Sequence, residues 1–192
     1  MTENGGELVF MFRGEIAEFQ FYQNRKAEKL IMMPFCQEDL EMHGHNFFEL
    51  AYITGGTAEH TLENEGKTIS AGDYFFVDYG CLHGFQNCKN LTLINCLFLP
   101  ETVDETLQGC RSFSQLLQGC LLKYYRMSLG QAKFARVFHD RDGQIGQLMQ
   151  EMLLEYQEQK VGCYPLLRFK LLEILLLTLR GLIEPENERP YS

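Results

Sequence analysis

The pattern of apolar residues changes at Pro100, and this change constrains the fold more than any other feature of the chain. Before Pro100, short runs rich in β-branched and aromatic residues alternate with turns of Gly and Asn. This spacing is typical of the strands of a barrel or sandwich. Strands are predicted at 8–13, 16–22, 30–35, 47–54, 57–63, 67–70, 73–77, 83–86 and 91–99. The strand at 47–54 is expected to end at the following Gly55-Gly56.

After Pro100 the apolar residues recur at helical spacing. Ser112, followed three residues later by Gln115, forms a capping-box pattern at the start of a first helix. A second helix is predicted at about 144–159. A third is predicted from Pro165 to near Gly181, because proline suits the first helical turn and glycine suits the position just past a helix end.

The third predicted helix is apolar around more than half of its circumference. Its main polar strip is limited to Lys170, Glu173 and Arg180. A helix that faces one core needs an apolar stripe of only about 100°. We therefore expect this helix to contact both its own β domain and a partner chain, the alternative being a helix buried deep within one subunit. A glutamate at Leu175 or Leu179 is expected to break such a homodimer.

Composition limits the classes of function. Of the 192 residues 45% are hydrophobic, enough for a substantial core, and the formal net charge is −9. A chain this acidic repels phosphate backbones, so we do not expect it to bind nucleic acid by itself. The seven cysteines contain no Cys-x-x-Cys pair and suit the reducing cytoplasm. Neither a signal-peptide core nor an apolar run of membrane-spanning length is visible, so no membrane association is expected.

Histidines and a glutamate in the β domain have spacings that suit a shared ligand. His43 and His45 lie two apart, so on a strand they share a face and stand roughly 7 Å apart. Glu49 is roughly 13 Å further along a straight strand, so the chain must bend near Asn46 for it to join them. His83 must arrive from a distant strand. Three imidazoles and one carboxylate suit zinc, nickel, manganese, iron or copper, the alternative being a metal-free effector pocket.

Alternation along the strands extends this candidate site. If the alternation of side chains continues through the bend, Phe47 shares the inward face with the two histidines. Phe85 shares a face with His83. The candidate ligand-binding residues are His43, His45, Phe47, Glu49, His83 and Phe85, and the candidate metal ligands are His43, His45, Glu49 and His83. His60 and His139 are interpreted as surface residues, although His60 has the alternative of projecting into the barrel.

These spacings resemble the two sequence motifs of the cupin superfamily. The residues that match are His43, His45, Glu49 and Gly56 for the first motif, and Gly72, Gly80, His83 and Asn87 for the second. Asp78 stands where the second motif has proline. Since an Asp side chain can also support a tight turn, we expect the turn to be kept. Proteins with the cupin fold have many different functions, so these matches indicate the fold more strongly than any activity.

The residues around the motifs are similar to the sensor domains of AraC/XylS-type transcription regulators. The similarity covers 43–56, 72–77 and the leucine-rich helix at 166–182. It implies a mainly β chain with α: a cupin (double-stranded β-helix or jelly-roll) barrel followed by an α-helical dimerisation segment. It also implies a small-molecule effector, a sugar among the candidates, and a homodimer formed through the C-terminal helices. Such sensors do not generally need a metal.

The resemblance also implies a division of the chain. A barrel with an N-terminal arm is expected at 1–100, helices at 101–183, and at 184–192 the start of a linker to a helix-turn-helix domain that the chain lacks. DNA would be bound only through that absent domain. The segment 8–13 is interpreted as an edge strand, its alternative being an arm over the effector. The rival function is a metal-dependent cupin enzyme, a dioxygenase or sugar isomerase; the sensor interpretation assigns no catalytic residue.

Overall fold

The computed structural model describes residues 7–13, 16–22, 29–122 and 137–183, and the side chains of 29–122 and 137–182. The strands are β1 (Glu7–Arg13), β2 (Ile16–Tyr22), β3 (Leu30–Gln37), β4 (Leu40–His45), β5 (Phe48–Leu62), β6 (Glu65–Ser70), β7 (Asp73–Val77), β8 (His83–Phe98) and β9 (Val137–His139). The helices are α1 (Phe113–Cys120), α2 (Gln144–Glu158) and α3 (Cys163–Ile183), with 3-10 turns at Pro100–Thr102 and Glu105–Leu107. The predicted mainly β fold with helices after Pro100 is confirmed.

One sheet contains all nine strands of the described ranges. Its order is β1-β2-β4-β8-β5-β7-β9, with β3 also paired to β8 and β6 to β5. Within the described ranges every pairing is antiparallel except that of β2 with β4. β1 lies at the end of this order, so residues 8–13 form an edge strand as predicted. β9 was not predicted, because three residues are too short to show a periodic pattern.

The two faces of the sheet carry different apolar clusters, because successive residues of a strand point to opposite sides. On β5, Phe48 and Leu50 belong to an outer cluster that also contains buried residues of α1, α2 and α3. Ala51 and Ile53 belong to an inner cluster. The buried residues of this inner cluster are Ala51, Ile53, Ala58, Leu62, Ile69, Phe75, Val77, Phe85, Leu91 and Leu93. The helices therefore cover one face, and the other encloses the candidate site.

β5 and β8 are long strands where shorter ones were predicted. The predicted strand end at Gly55-Gly56 is wrong, because β5 continues through it with irregular register against β8. Gly56 has φ +74°, and a Cβ added there would lie 2.2 Å from the backbone oxygen of Asn90. Glycine at this position therefore permits a bulge and a close approach of two strands rather than terminating one.

The start of α1 agrees with the predicted capping box in one of its two hydrogen bonds. Ser112 Oγ accepts the backbone N–H of Gln115 at 3.3 Å. The Gln115 side chain accepts from the backbone N–H of Arg111, at 2.9 Å, rather than from that of Ser112. α2 matches its predicted range to within one residue.

α3 starts two residues before Pro165 and runs past Gly181. Leu175 and Leu179 are buried in the outer cluster of their own subunit and are not exposed for a dimer contact, so the effect of a glutamate there on a homodimer stays a prediction. Among the described side chains of α3, the large apolar ones that are exposed are Leu166 and Phe169. None of the helices within the described ranges combines the length and apolar character needed to cross a bilayer.

Candidate functional site

The site lies where three strands meet. His43 and His45 end β4, Glu49 is near the start of β5, and His83 is the first residue of β8. The Cα register of β4 and β8 places His43 opposite His83. The bend predicted between His45 and Glu49 is present at residues 46–47, between the two strands. It turns a separation of roughly 13 Å on a straight strand into direct side-chain contact.

Three side chains form a compact polar group inside the protein. His45 Nε2 lies 3.2 Å from Glu49 Oε2, and His83 Nε2 lies 3.6 Å from the same oxygen. One potential ligand atom from each of the three residues lies within 4.8 Å of the others. All three residues are buried. The separations suit one small cation or one polar ligand group held between them.

His43 stands beside this group as the other predicted ligand. Its ring centroid is 4.2 Å from that of His83, and its Nδ1 lies 3.0 Å from the backbone oxygen of Glu41. It is outside the set of three whose ligand atoms converge within 4.8 Å. The structure thus brings the four predicted metal-ligand residues together, with His43 as a neighbour of the compact three.

Hydrogen bonds to backbone carbonyls fix the ring protons of two histidines. His45 Nδ1 lies 2.8 Å from the oxygen of Phe47, and a carbonyl oxygen can only accept. Nδ1 therefore donates in both His43 and His45, and in the neutral ring Nε2 presents a lone pair. The Nε2 atoms of His45 and His83 are buried without a partner in hydrogen-bonding geometry among the described residues. A lone pair facing a carboxylate is unfavourable unless a proton or cation lies between them, so the donor set fits a divalent metal.

Burial also favours uncharged imidazoles in this region. Desolvation lowers the pKa of His43 below its usual value, partly offset by the Glu41 carbonyl and the Glu49 carboxylate. Desolvation and the neighbouring imidazoles of His43, His45 and His60 hold the pKa of His83 well below its usual value. Neutral imidazole is the form that binds metals.

His60 belongs to the same cluster, so its interpretation as a surface residue is wrong. It is 1% exposed, and its Nε2 lies 3.3 Å from His83 Nδ1. Its ring stacks on Phe75 at 4.0 Å, and desolvation lowers its pKa to about 4. The sequence signal for an inward position is that His60 shares its alternation with the apolar Ala58 and Leu62, while the residues between them are polar.

The two candidate aromatic residues border the cluster. Phe47 stacks on the ring of His45 with centroids 4.3 Å apart, and Phe85 lies 4.9 Å from His60. A cavity of about 460 Å³ lies against His60. Its other lining residues are Leu62, Glu65, Gly66, Lys67, Val137 and Phe138. His139, by contrast, is exposed as predicted, with Nδ1 2.8 Å from Asp73 Oδ1.

Asp78 stands at the proline position of the second cupin-like motif. Its side chain does not support its own tight turn, as we had expected it to. Its Oδ1 accepts the backbone N–H of Phe113 at 2.7 Å, so the side chain caps α1 instead of supporting its own turn. The turn is closed by backbone groups, since Cys81 N–H donates to the Asp78 carbonyl at 3.2 Å. Gly80 N–H donates to the His45 carbonyl at 2.9 Å, which ties this loop to the site.

Comparison with known proteins decides the family. A sequence model described as the AraC-like ligand binding domain matches residues 35–163. The chain belongs to this family. The AraC-like domain is 23% identical over 173 residues to the HTH-type transcriptional activator RhaS of Shigella sonnei and of Escherichia coli K12. In both cases the match covers 90% of this chain and 59% of the relative, so the chain spans less than two thirds of the length of these activators.

Solved structures resemble parts of the AraC-like domain. An RmlC-like cupin from Shewanella frigidimarina is 23% identical, with a TM-score of 0.34 over 36% of this chain and 66% of its own. KdgF from a Halomonas species gives the same identity and TM-score over 36% of this chain and 69% of its own. Both overlaps are partial and say nothing about activity.

Proposed function

We propose that this AraC-like domain binds a small molecule on the inner face of its sheet. Binding would then change the activity of a DNA-binding part of a transcription regulator. The observation that carries the proposal is a buried polar cluster within a member of a ligand-binding family. The cavity beside His60 offers room for an effector, with Lys67 and Glu65 as polar contacts. A sugar or sugar acid fits such a lining.

The expected mechanism is a shift between two arrangements of the helices. A ligand changes such an equilibrium only if it binds one arrangement more tightly than the other. The loop 78–83 offers a route, because it contacts His45 through Gly80 and caps α1 through Asp78. DNA contact is proposed only for a separate domain, since this chain carries a net charge of −9.

Thermal unfolding with a panel of monosaccharides and sugar acids tests the sensing proposal. An effector that binds only the folded state raises the unfolding temperature, and the rise grows with the logarithm of its concentration once that exceeds Kd. Glu49→Gln is expected to abolish the shift, whereas Glu59→Gln, on the exposed side of β5, retains it. An effector that stabilises both variants equally would place the binding site away from this cluster.

We further propose that His45, Glu49 and His83 hold a divalent transition metal such as zinc, nickel, manganese or iron, with His43 as a fourth ligand. When bound, the metal supplies a Lewis-acidic contact for an effector oxygen. Titration of the metal-free protein with Co²⁺, followed by its visible spectrum and by calorimetry, tests this. Glu49→Gln should weaken binding strongly, and Glu59→Gln should not.

The donor set also favours one alternative, a metal-dependent cupin enzyme such as a dioxygenase or sugar isomerase. The same residues would then be the reactive centre. Oxygen uptake and isomerase assays on metal-loaded protein distinguish the two functions. Turnover that disappears in His45→Ala would favour the enzyme over the sensor.

A homodimer through α3 completes the proposal. Phe169 is 63% exposed, and Leu166 precedes it by three residues on the same side of the helix. Exposed apolar residues at this spacing suit packing against the same helix of a second copy. The division at Pro100 into a sensing part and a dimerising part remains a prediction.

A further inference from the structure

His60 lies outside both cupin-like motifs, yet it contacts the centre of the site. The structure gives its Nε2 a hydrogen bond with His83 Nδ1 at 3.3 Å. Its Nδ1 is buried and has no partner among the described residues. The ring is held between Phe75 and Phe85, whose centroids are 4.0 and 4.9 Å away. Its neighbours thus fix the plane of the ring and leave open which nitrogen carries the proton.

Two proton arrangements satisfy the bond between His60 and His83. In the first, His60 Nε2–H donates to His83 Nδ1, and the His83 proton sits on Nε2, facing Glu49 Oε2 at 3.6 Å. In the second, His83 Nδ1–H donates to His60 Nε2, and the His60 proton sits on Nδ1. Each ring carries one proton in both arrangements. Only the second leaves a lone pair on His83 Nε2 for a metal.

We propose that His60 is a positioning residue that exchanges between these arrangements as the metal centre fills, an inference that rests on the proposed metal site. On filling, the metal displaces the proton of His83 Nε2 to solvent, and the His60 Nε2 proton moves to His83 Nδ1. His60 Nδ1 takes up one proton from solvent on the side of the cavity that lies against His60, so the pair neither gains nor loses a proton overall. This completes a pattern already present in the site. His43 and His45 each donate Nδ1–H to a backbone carbonyl, and His60 provides the equivalent acceptor for His83.

Nuclear magnetic resonance of the ring nitrogens tests this directly. The whole chain, labelled with ¹⁵N-histidine, is measured after treatment with a chelator and again with one equivalent of Zn²⁺. We expect His60 as the Nε2–H tautomer without metal and as the Nδ1–H tautomer with Zn²⁺. Zn²⁺ binding that leaves the His60 tautomer unchanged overturns this proposal alone. A wild-type chain that does not bind Zn²⁺ overturns the metal centre and this proposal with it.

Two substitutions separate positioning from packing. His60→Phe keeps an aromatic ring between Phe75 and Phe85 but removes the acceptor, whereas His60→Gln keeps an acceptor near the position of Nε2. We expect Zn²⁺ affinity to fall about 10–100-fold in His60→Phe and to be largely restored in His60→Gln. A purely structural role would instead appear in the unfolding temperature of the metal-free protein. Wild-type Zn²⁺ affinity in His60→Phe would contradict the proposal.

Discussion

The carboxylate of Asp78 accepts the backbone N–H of Phe113 across 35 positions of sequence, at 2.7 Å. This bond joins the loop that precedes His83 to the first turn of α1. A helix N-terminus leaves backbone N–H groups without intrahelical partners, and acceptors there stabilise the helix by about 1 kcal/mol. The loop at 78–83 is therefore hydrogen-bonded both to α1, through Asp78, and to the site, through Gly80 and His45.

Asp78→Asn should remove a pH dependence of stability while keeping the acceptor for Phe113. Desolvation raises the pKa of Asp78 to about 6, although the Phe113 N–H opposes this. Because the folded protein holds this proton more tightly than the unfolded chain, the wild-type free energy of unfolding falls as pH rises from about 4 through 6. Since Asp78 is half-buried, we expect Asn to be more stable by only about 1 kcal/mol at pH 7. Urea unfolding of both proteins between pH 4 and 7.5 measures the difference.

Asp78→Ala is the control for that experiment, because it removes both the charge and the acceptor. Relative to Asp78→Asn, it should lose the helix cap, at a cost of about 1 kcal/mol in the free energy of unfolding, at every pH where the chain folds. A stability difference between wild type and Asn that stays constant across the pH range would contradict the raised pKa.

Gly56→Ala should destabilise the fold by about 2–4 kcal/mol, through left-handed backbone strain and overpacking. Gly56 has φ +74°, and its added Cβ would meet the Asn90 carbonyl at 2.2 Å. Gly66→Ala is the matched control, because the nearest heavy atom to its added Cβ is Thr61 Oγ1 at 3.8 Å. We expect the control to change the free energy of unfolding by less than about 1 kcal/mol in urea titration. Equal losses in both variants would argue against the close approach at Gly56.

The bulge at Gly56 also explains why the inward position of His60 was harder to predict from the sequence than those of the residues before it. Glu49, Ala51 and Ile53 point inward at odd positions, whereas Ala58, His60 and Leu62 point inward at even ones. Register shifts between Ile53 and Glu59 change the parity. A one-residue shift moves every following side chain to the other face, so alternation counted from Glu49 places His60 outside. His43, His45 and Glu49 all precede the bulge, and His83 lies on another strand, so the change of parity along β5 does not affect their prediction.

The helices show a different limit of sequence patterns. The apolar surface of α3 is wide, but periodicity does not say which side meets which partner, and contact of α3 with a second chain stays a prediction. Leu175 and Leu179 face the subunit's own core, and Leu166 and Phe169 face away from it. That distinction depends on where α2 and the sheet pack against α3, which is a property of the tertiary fold.

Removal of metal should lower the unfolding temperature if the proposed centre is occupied. A ligand present at 100 times its Kd stabilises the folded state by about 2.7 kcal/mol, and a chelator withdraws this contribution. Calorimetry with Zn²⁺ and with excess chelator should give separate transitions in wild type and one common transition in His45→Ala. Chelator-insensitive unfolding of protein that had been loaded with Zn²⁺ would count against the centre.

Phe169→Glu should convert a dimer into a folded monomer. Phe169 is 63% exposed in the single subunit, so a charge there costs little stability, within about 0.5 kcal/mol for a typical surface substitution. In a dimer packed through α3, the same charge would be buried against an apolar partner.

Leu175→Glu should instead unfold the subunit, because Leu175 is 1% exposed. Leu154→Glu, at a position 60% exposed on α2, is the matched surface control and should leave both the dimer and the fold intact. Sedimentation velocity together with circular dichroism distinguishes these results, and a wild-type chain that sediments as a monomer would refute the α3 interface.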